Sequence, residues 1–241
     1  MGKRIHMTQA LILMYHSIGK PPKGVKTPNL YVTPKMFKFQ MWYLKWAGFN
    51  VLSLKDLIAS VQKDEKNAKR IALTFDDGYQ DFYENAYPVL RRYGYPSTVF
   101  IIPGLMGGKN DWDFSHENAA KPLMDWKTVI EISKNGVDIG SHTKTHPCLL
   151  DLSPHEIAVE AIDSKREIEK RLDRPIEFFC YPYGKYNAGA REEIRKAGYA
   201  GAISTLRGCV EKPFDPFGLK RVPVKLTTNP LSFMHRIHKA Y

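Results

Sequence analysis

Cysteine is scarce in this 241-residue chain, and Cys148, Cys180 and Cys209 are the only three. An odd number without CxxC spacing excludes a disulfide framework and a zinc-thiolate site, so reduced and mostly buried thiols are expected. Long apolar runs are also missing. Nothing approaches the roughly 18 consecutive apolar residues of a membrane span. Ala10-Leu11-Ile12-Leu13-Met14, preceded by Gly2-Lys3-Arg4, imitates a secretory signal. Its core is too short, and Tyr15-His16 stands where small residues would precede a cleavage site. The run reads as a first strand behind a polar leader of residues 1–9. With no export signal visible, a cytoplasmic location is favoured. No linker, low-complexity tract or internal repeat interrupts the rest, so residues 10–241 are expected to form one domain. Formal charge is +11, yet the basic runs are scattered and no nucleic-acid-binding motif accompanies them. A solvated surface is expected rather than a nucleic-acid partner.

What is present is an alternation of apolar runs and helical patterns. Strands are expected over residues 10–17, 49–52, 70–75, 97–102, 137–140, 176–181, 201–205 and 219–224. Helix starts are legible between them: Thr33-Pro34, Ser153-Pro154-His155-Glu156 as a capping box, Asn187, and Asn229-Pro230. Repeated βα units imply an α/β fold with a mainly parallel sheet, and the count favours closure into a single (β/α) barrel of seven to eight strands. Asp76-Asp77, His142 and Tyr181-Pro182-Tyr183-Gly184 all fall just beyond strand C-termini. In a barrel those ends form one face, where active sites are found.

Two stretches carry chemistry: Thr74-Phe75-Asp76-Asp77-Gly78-Tyr79 and Ser141-His142-Thr143-Lys144-Thr145-His146. Adjacent carboxylates repel, and a strand ending in both needs positive charge nearby. Taken alone, that turn is as well explained by an aspartate helix cap, and either histidine by a hydrogen-bonding loop residue. Together, one carboxylate and two imidazoles four residues apart make a three-ligand site for a divalent metal. The remaining carboxylate is a candidate base for an activated water.

These stretches, with the YPYG segment ending at Gly184, resemble the first three motifs of the polysaccharide deacetylases, carbohydrate esterase family four, in that family's order. The resemblance implies a distorted, TIM-like (β/α) barrel and metal-dependent removal of acetyl from N- or O-acetylated sugars. By position, Asp76 resembles the catalytic base, and Asp77, His142 and His146 resemble the metal ligands. Tyr183 matches the tyrosine whose backbone N–H helps hold the oxyanion. Two departures stand out. The arginine that many members place in the third motif to hold the base is matched here by Cys180, and Arg221 is the candidate substitute. The late Leu-x-x-His motif has no copy near the C-terminus, where His235 and His238 lie on an expected helix. Leu13-Met14-Tyr15-His16 supplies one at the other end, as in circularly permuted poly-N-acetylglucosamine de-N-acetylases, and makes His16 the candidate general acid.

The implied cofactor is one divalent ion, zinc first, with Co, Ni, Mn or Fe compatible with Asp-His-His. The implied partner is an acetylated glycan. Two other readings stand beside it: hydrolysis of a small cyclic amide or imide on the same barrel, and a carbohydrate-binding relative without turnover. Of four tryptophans, Trp42 and Trp46 are expected to be structural. Trp126 is expected near the pocket, and Trp112 in a loop that covers the site.

Overall fold

The structure, a computed structural model, describes residues 9–63, 69–110, 112 and 120–238. All eight expected strands form. Seven of them, Gln9–Tyr15, Arg70–Phe75, Ser97–Ile101, Val137–Ser141, Phe178–Cys180, Gly201–Arg207 and Leu219–Pro223, pair in parallel as a closed ring. The ring closes because the first strand pairs with both Arg70–Phe75 and Leu219–Pro223. The eighth, Asn50–Val51, is an outer partner of Arg70–Phe75. The leader expected over residues 1–9 lies outside the described residues except for Gln9, which belongs to the first strand opposite Glu211.

Alternation along each strand sorts side chains between two apolar layers. Ala10, Ile12, Ala72, Phe100, Cys180, Ile203 and Leu219 form one packed cluster with Leu54, Leu57, Ile58 and Val61 of the helix Leu54–Gln62. Leu11, Leu13, Ile71, Leu73, Val99 and Ile139 belong to the larger cluster shared with the outer helices. Those helices begin where the sequence signals them. Thr33, Ser153 and Asn187 each accept a backbone N–H in the first turn, and Ser153 with Glu156 completes the capping box of Pro154–Leu172. Among the described residues no helix is long and apolar enough to cross a membrane.

Gly140 sits at a tight point of the barrel wall. A Cβ there would run into the Phe100 ring and come within 3.0 Å of the Phe178 carbonyl oxygen. Overpacking of this kind costs about 1–3 kcal/mol, so Gly140→Ala should lower unfolding free energy by that amount in a urea titration. An unchanged midpoint would contradict the packing described.

Candidate active site

Strand register decides what meets at the barrel mouth. Tyr15 lies opposite Phe75, so His16 and Asp76 leave neighbouring strand ends side by side. The Asp76 N–H donates to the Tyr15 carbonyl at 3.0 Å, and His16 Nε2 stands 3.7 Å from Asp76 Oδ2. Ser141 lies opposite both Ile101 and Phe179, which delivers His142 to the same mouth.

The backbone is strained there. Among the described residues, five other than glycine have positive φ, and Asp77 (74°), Thr143 (67°), His146 (67°) and Tyr183 (58°) are four of them. Such conformations cost free energy, and they cluster where structure serves a site. Gly78 continues the Asp77 turn at φ 70°, which a residue with a Cβ adopts only reluctantly. The turn from His142 to His146 is fastened from outside by Glu160, whose carboxylate accepts the N–H groups of Lys144 (2.7 Å) and Thr145 (3.0 Å) and the Thr145 hydroxyl (2.7 Å).

His142 Nδ1 lies 2.7 Å from the Cys180 carbonyl oxygen. A carbonyl only accepts, so Nδ1 carries the proton and Nε2 faces inward. That Nε2 is 3.3 Å from Asp77 Oδ1, and His146 Nε2 is 3.7 Å from the same oxygen. Asp77, His142 and His146 are all buried, and each offers a ligand atom within 4.8 Å of the others'. A carboxylate oxygen facing two imidazole nitrogens needs a cation among them, a proton or a metal, and three O/N donors suit a divalent ion. The residues therefore fit the implied metal. Asp76, His142 and Cys180 are equally close to one another, but the Asp76 oxygens and His142 Nδ1 already have partners.

The titration of these groups has the same origin. Burial would raise the Asp77 carboxyl, but the His142 hydrogen bond and the nearby imidazoles outweigh it and hold it well below the usual range. Burial would lower His142, but the Cys180 sulfur, Asp77 and Asp76 raise it well above an ordinary imidazole. Burial, followed by repulsion from His142, pushes His146 down to about 3.

Asp76 meets a different cation. Arg221, fully buried in the strand Leu219–Pro223, donates from Nη1 to Asp76 Oδ1 and from Nη2 to Oδ2, both at 2.7 Å. Its Nε donates to the Ser204 carbonyl (2.8 Å), Nη1 also to Thr74 Oγ1 (3.2 Å) and Nη2 also to Cys180 Sγ (3.4 Å). These bonds use all five N–H donors of the guanidinium. Burial alone would raise the Asp76 carboxyl; the guanidinium, helped by His16 and His142, brings it below the ordinary range. Asp76, Asp77, His16, His142, His146 and Tyr183 line a cleft of about 380 Å³.

A sequence model of the polysaccharide deacetylase family matches residues 63–202. The chain belongs to the polysaccharide deacetylase family. YxkH of Bacillus subtilis is 31% identical over 214 residues, covering 88% of this chain and 70% of its own length. The poly-beta-1,6-N-acetyl-D-glucosamine N-deacetylase of Staphylococcus epidermidis is 28% identical, with 89% of this chain and 78% of that one covered. The Streptococcus pyogenes deacetylase PplD, solved with acetate, superposes with a TM-score of 0.83 at 28% identity, covering 96% of this chain and 99% of that one.

Within this family frame, the permuted reading has a structural basis: Leu13 and Met14 pair with Val222 and Pro223, so His16 emerges beside the last barrel strand. Arg221 takes the place facing Asp76 that Cys180 leaves, and the thiol serves as one of its acceptors. Glu160 was missed, since an acidic residue inside a charged helix gives no sign that it fastens a loop. Trp126 does not reach the cleft; Arg171 stacks on it at 4.9 Å. Trp42 and Trp46, expected to be structural, do not line the cleft; they are 48% and 69% exposed and lie against each other at 6.1 Å. Trp112 does line the cleft, against His146.

Removing Arg221 would strand a buried carboxylate, and breaking a buried pair in this way costs about 3–5 kcal/mol. Arg221→Met should lose that much in urea unfolding. Arg221→Lys should not restore it, since a lysine cannot reproduce the planar fork. Wild-type stability in either variant would contradict the network.

Proposed function

We propose that the protein is a metal-dependent hydrolase that removes acetyl groups from an N-acetylated glycan, releasing acetate and a free amine. The observation that carries this reading is the convergence of Asp77 Oδ1 with the inward nitrogens of His142 and His146, beside a second carboxylate separately held by Arg221. The substrate class is supported by the Staphylococcus epidermidis relative, named for poly-beta-1,6-N-acetyl-D-glucosamine. The retained set of four polar side chains favours turnover over mere sugar binding, and the relatives' names favour a glycan over a small cyclic amide.

Asp77, His142 and His146 would hold one divalent ion, zinc first. When bound, that ion supplies acidified water and polarises the carbonyl to be attacked. Asp76 is the base. Arg221 keeps its carboxylate ionised and aimed, so it receives the proton lost by the attacking water. The Tyr183 backbone N–H, carried on the strained turn at φ 58°, is the donor assigned to the oxyanion, set in place beforehand. His16 lines the same cleft, with Nε2 3.7 Å from Asp76 Oδ2. It is the acid that protonates the departing amine, and Asp76 can return the water's proton to it.

Asp76→Asn should retain metal and lose at least about a hundredfold in rate, as expected for removing a general base. Acetate release from N-acetylglucosamine oligomers measures this, and undiminished turnover would remove Asp76 from the mechanism. His142→Ala should lose the metal itself; full occupancy by elemental analysis would contradict the ligand assignment. Chelation of the parent protein should abolish acetate release and added Zn²⁺ should restore it. Activity that survives thorough chelation would contradict metal dependence.

A further inference from the structure

Histidines that bind metals nearly always have their second ring nitrogen hydrogen-bonded, which fixes the ring. His142 conforms, through Nδ1 and the Cys180 carbonyl. His146 does not. Its Nδ1 is buried without a hydrogen-bond partner among the described residues. The backbone at this residue is anchored, because its N–H donates to Thr143 Oγ1 at 2.9 Å. An anchored backbone leaves the imidazole free to turn about its side-chain bonds.

Three rings surround that imidazole instead. Trp112 lies over it at 4.5 Å with planes 34° apart, Tyr183 meets it edge-on at 4.8 Å and 67°, and His142 does so at 4.7 Å and 74°. The Tyr183 and His142 contacts have the edge-to-face geometry of favourable aromatic pairs, and Trp112 covers the ring at a tilt. Packing on two sides restricts ring rotation much as a hydrogen bond would. Trp112 and His146 line the cleft together.

We infer that Trp112 is a positioning residue for the metal site, gripping the His146 ring together with Tyr183 in place of the hydrogen bond that orients His142. The inference rests on the ligand set proposed above and extends it to a residue that contacts neither the ion nor the reacting atoms. The two histidines are then held by different physics: one by a carbonyl in the barrel wall, the other by aromatic faces at the rim. Loss of the indole should loosen the ion without touching a ligand.

The test measures metal affinity in the absence of substrate. Trp112→Ala should bind Zn²⁺ about 10–100-fold more weakly in chelator competition, the loss typical of removing an outer-shell support. Trp112→Phe, which keeps a ring over His146, should stay within about threefold of the parent. The metal-free melting temperature of both variants should match the parent's. Co²⁺, which is paramagnetic, should quench the emission of Trp112 in the parent, and Trp112→Phe should lose that quenching while still binding Co²⁺. Unchanged Zn²⁺ affinity in Trp112→Ala, affinity loss that Phe fails to rescue, or a fall in the metal-free melting temperature that accounts for the loss would each overturn the inference. Quenching that persists in Trp112→Phe would overturn it as well. A parent that binds no metal would overturn the ligand set first, and this inference with it.

Discussion

Closure of the seven-stranded ring by its first strand is the constraint on which the site depends. Gln9–Tyr15 pairs on one side with Arg70–Phe75 and on the other with Leu219–Pro223. That double pairing sets His16 beside Asp76 and brings Arg221, from the strand on the first strand's other side, against the same carboxylate. Residues separated by more than 140 positions in sequence therefore share one hydrogen-bond network. A slip of one residue in either pairing would turn each strand's side chains to the opposite face. Register, more than local sequence, aligns the chemistry.

The paired aspartates are tolerated because each is neutralised by a different partner. Asp76 is matched in full by a guanidinium that spends its other donors on Ser204, Thr74 and Cys180. Asp77 faces two imidazoles and the place of a cation. Burial opposes ionisation of both carboxyls, and both are nevertheless held below their ordinary range. One aspartate is committed to a fixed charge of the fold and the other to an exchangeable one. Such a division is what the proposed roles of base and ligand require of two neighbouring groups of the same type.

The parts of the fold that were legible in the sequence are those written locally. Apolar runs marked eight strands, Thr33, Ser153 and Asn187 marked helix starts, and polar motifs just past strand ends marked the working face. Asp76, Asp77, His142 and His146 were readable because their spacing follows from short turns. Arg221 could be named only as a candidate, since its partner follows a strand far away in sequence and its own strand looks like any other. Glu160 was invisible, because a carboxylate that accepts two backbone N–H groups resembles any exposed glutamate in a charged helix. Trp126 misled for the same reason: whether an indole faces core, solvent or cleft depends on the neighbouring element. Trp42 and Trp46 faced outward, Trp126 found Arg171, and Trp112 alone reached the site.

The most direct test of the central claim, that Asp77, His142 and His146 share one divalent ion, is anomalous diffraction at the zinc edge from crystals soaked in Zn²⁺. A single strong peak bounded by those three side chains, with Asp76 still paired to Arg221, is the expected result. No peak there at saturating zinc, or one lying among Asp76, His142 and Cys180 instead, would contradict the account.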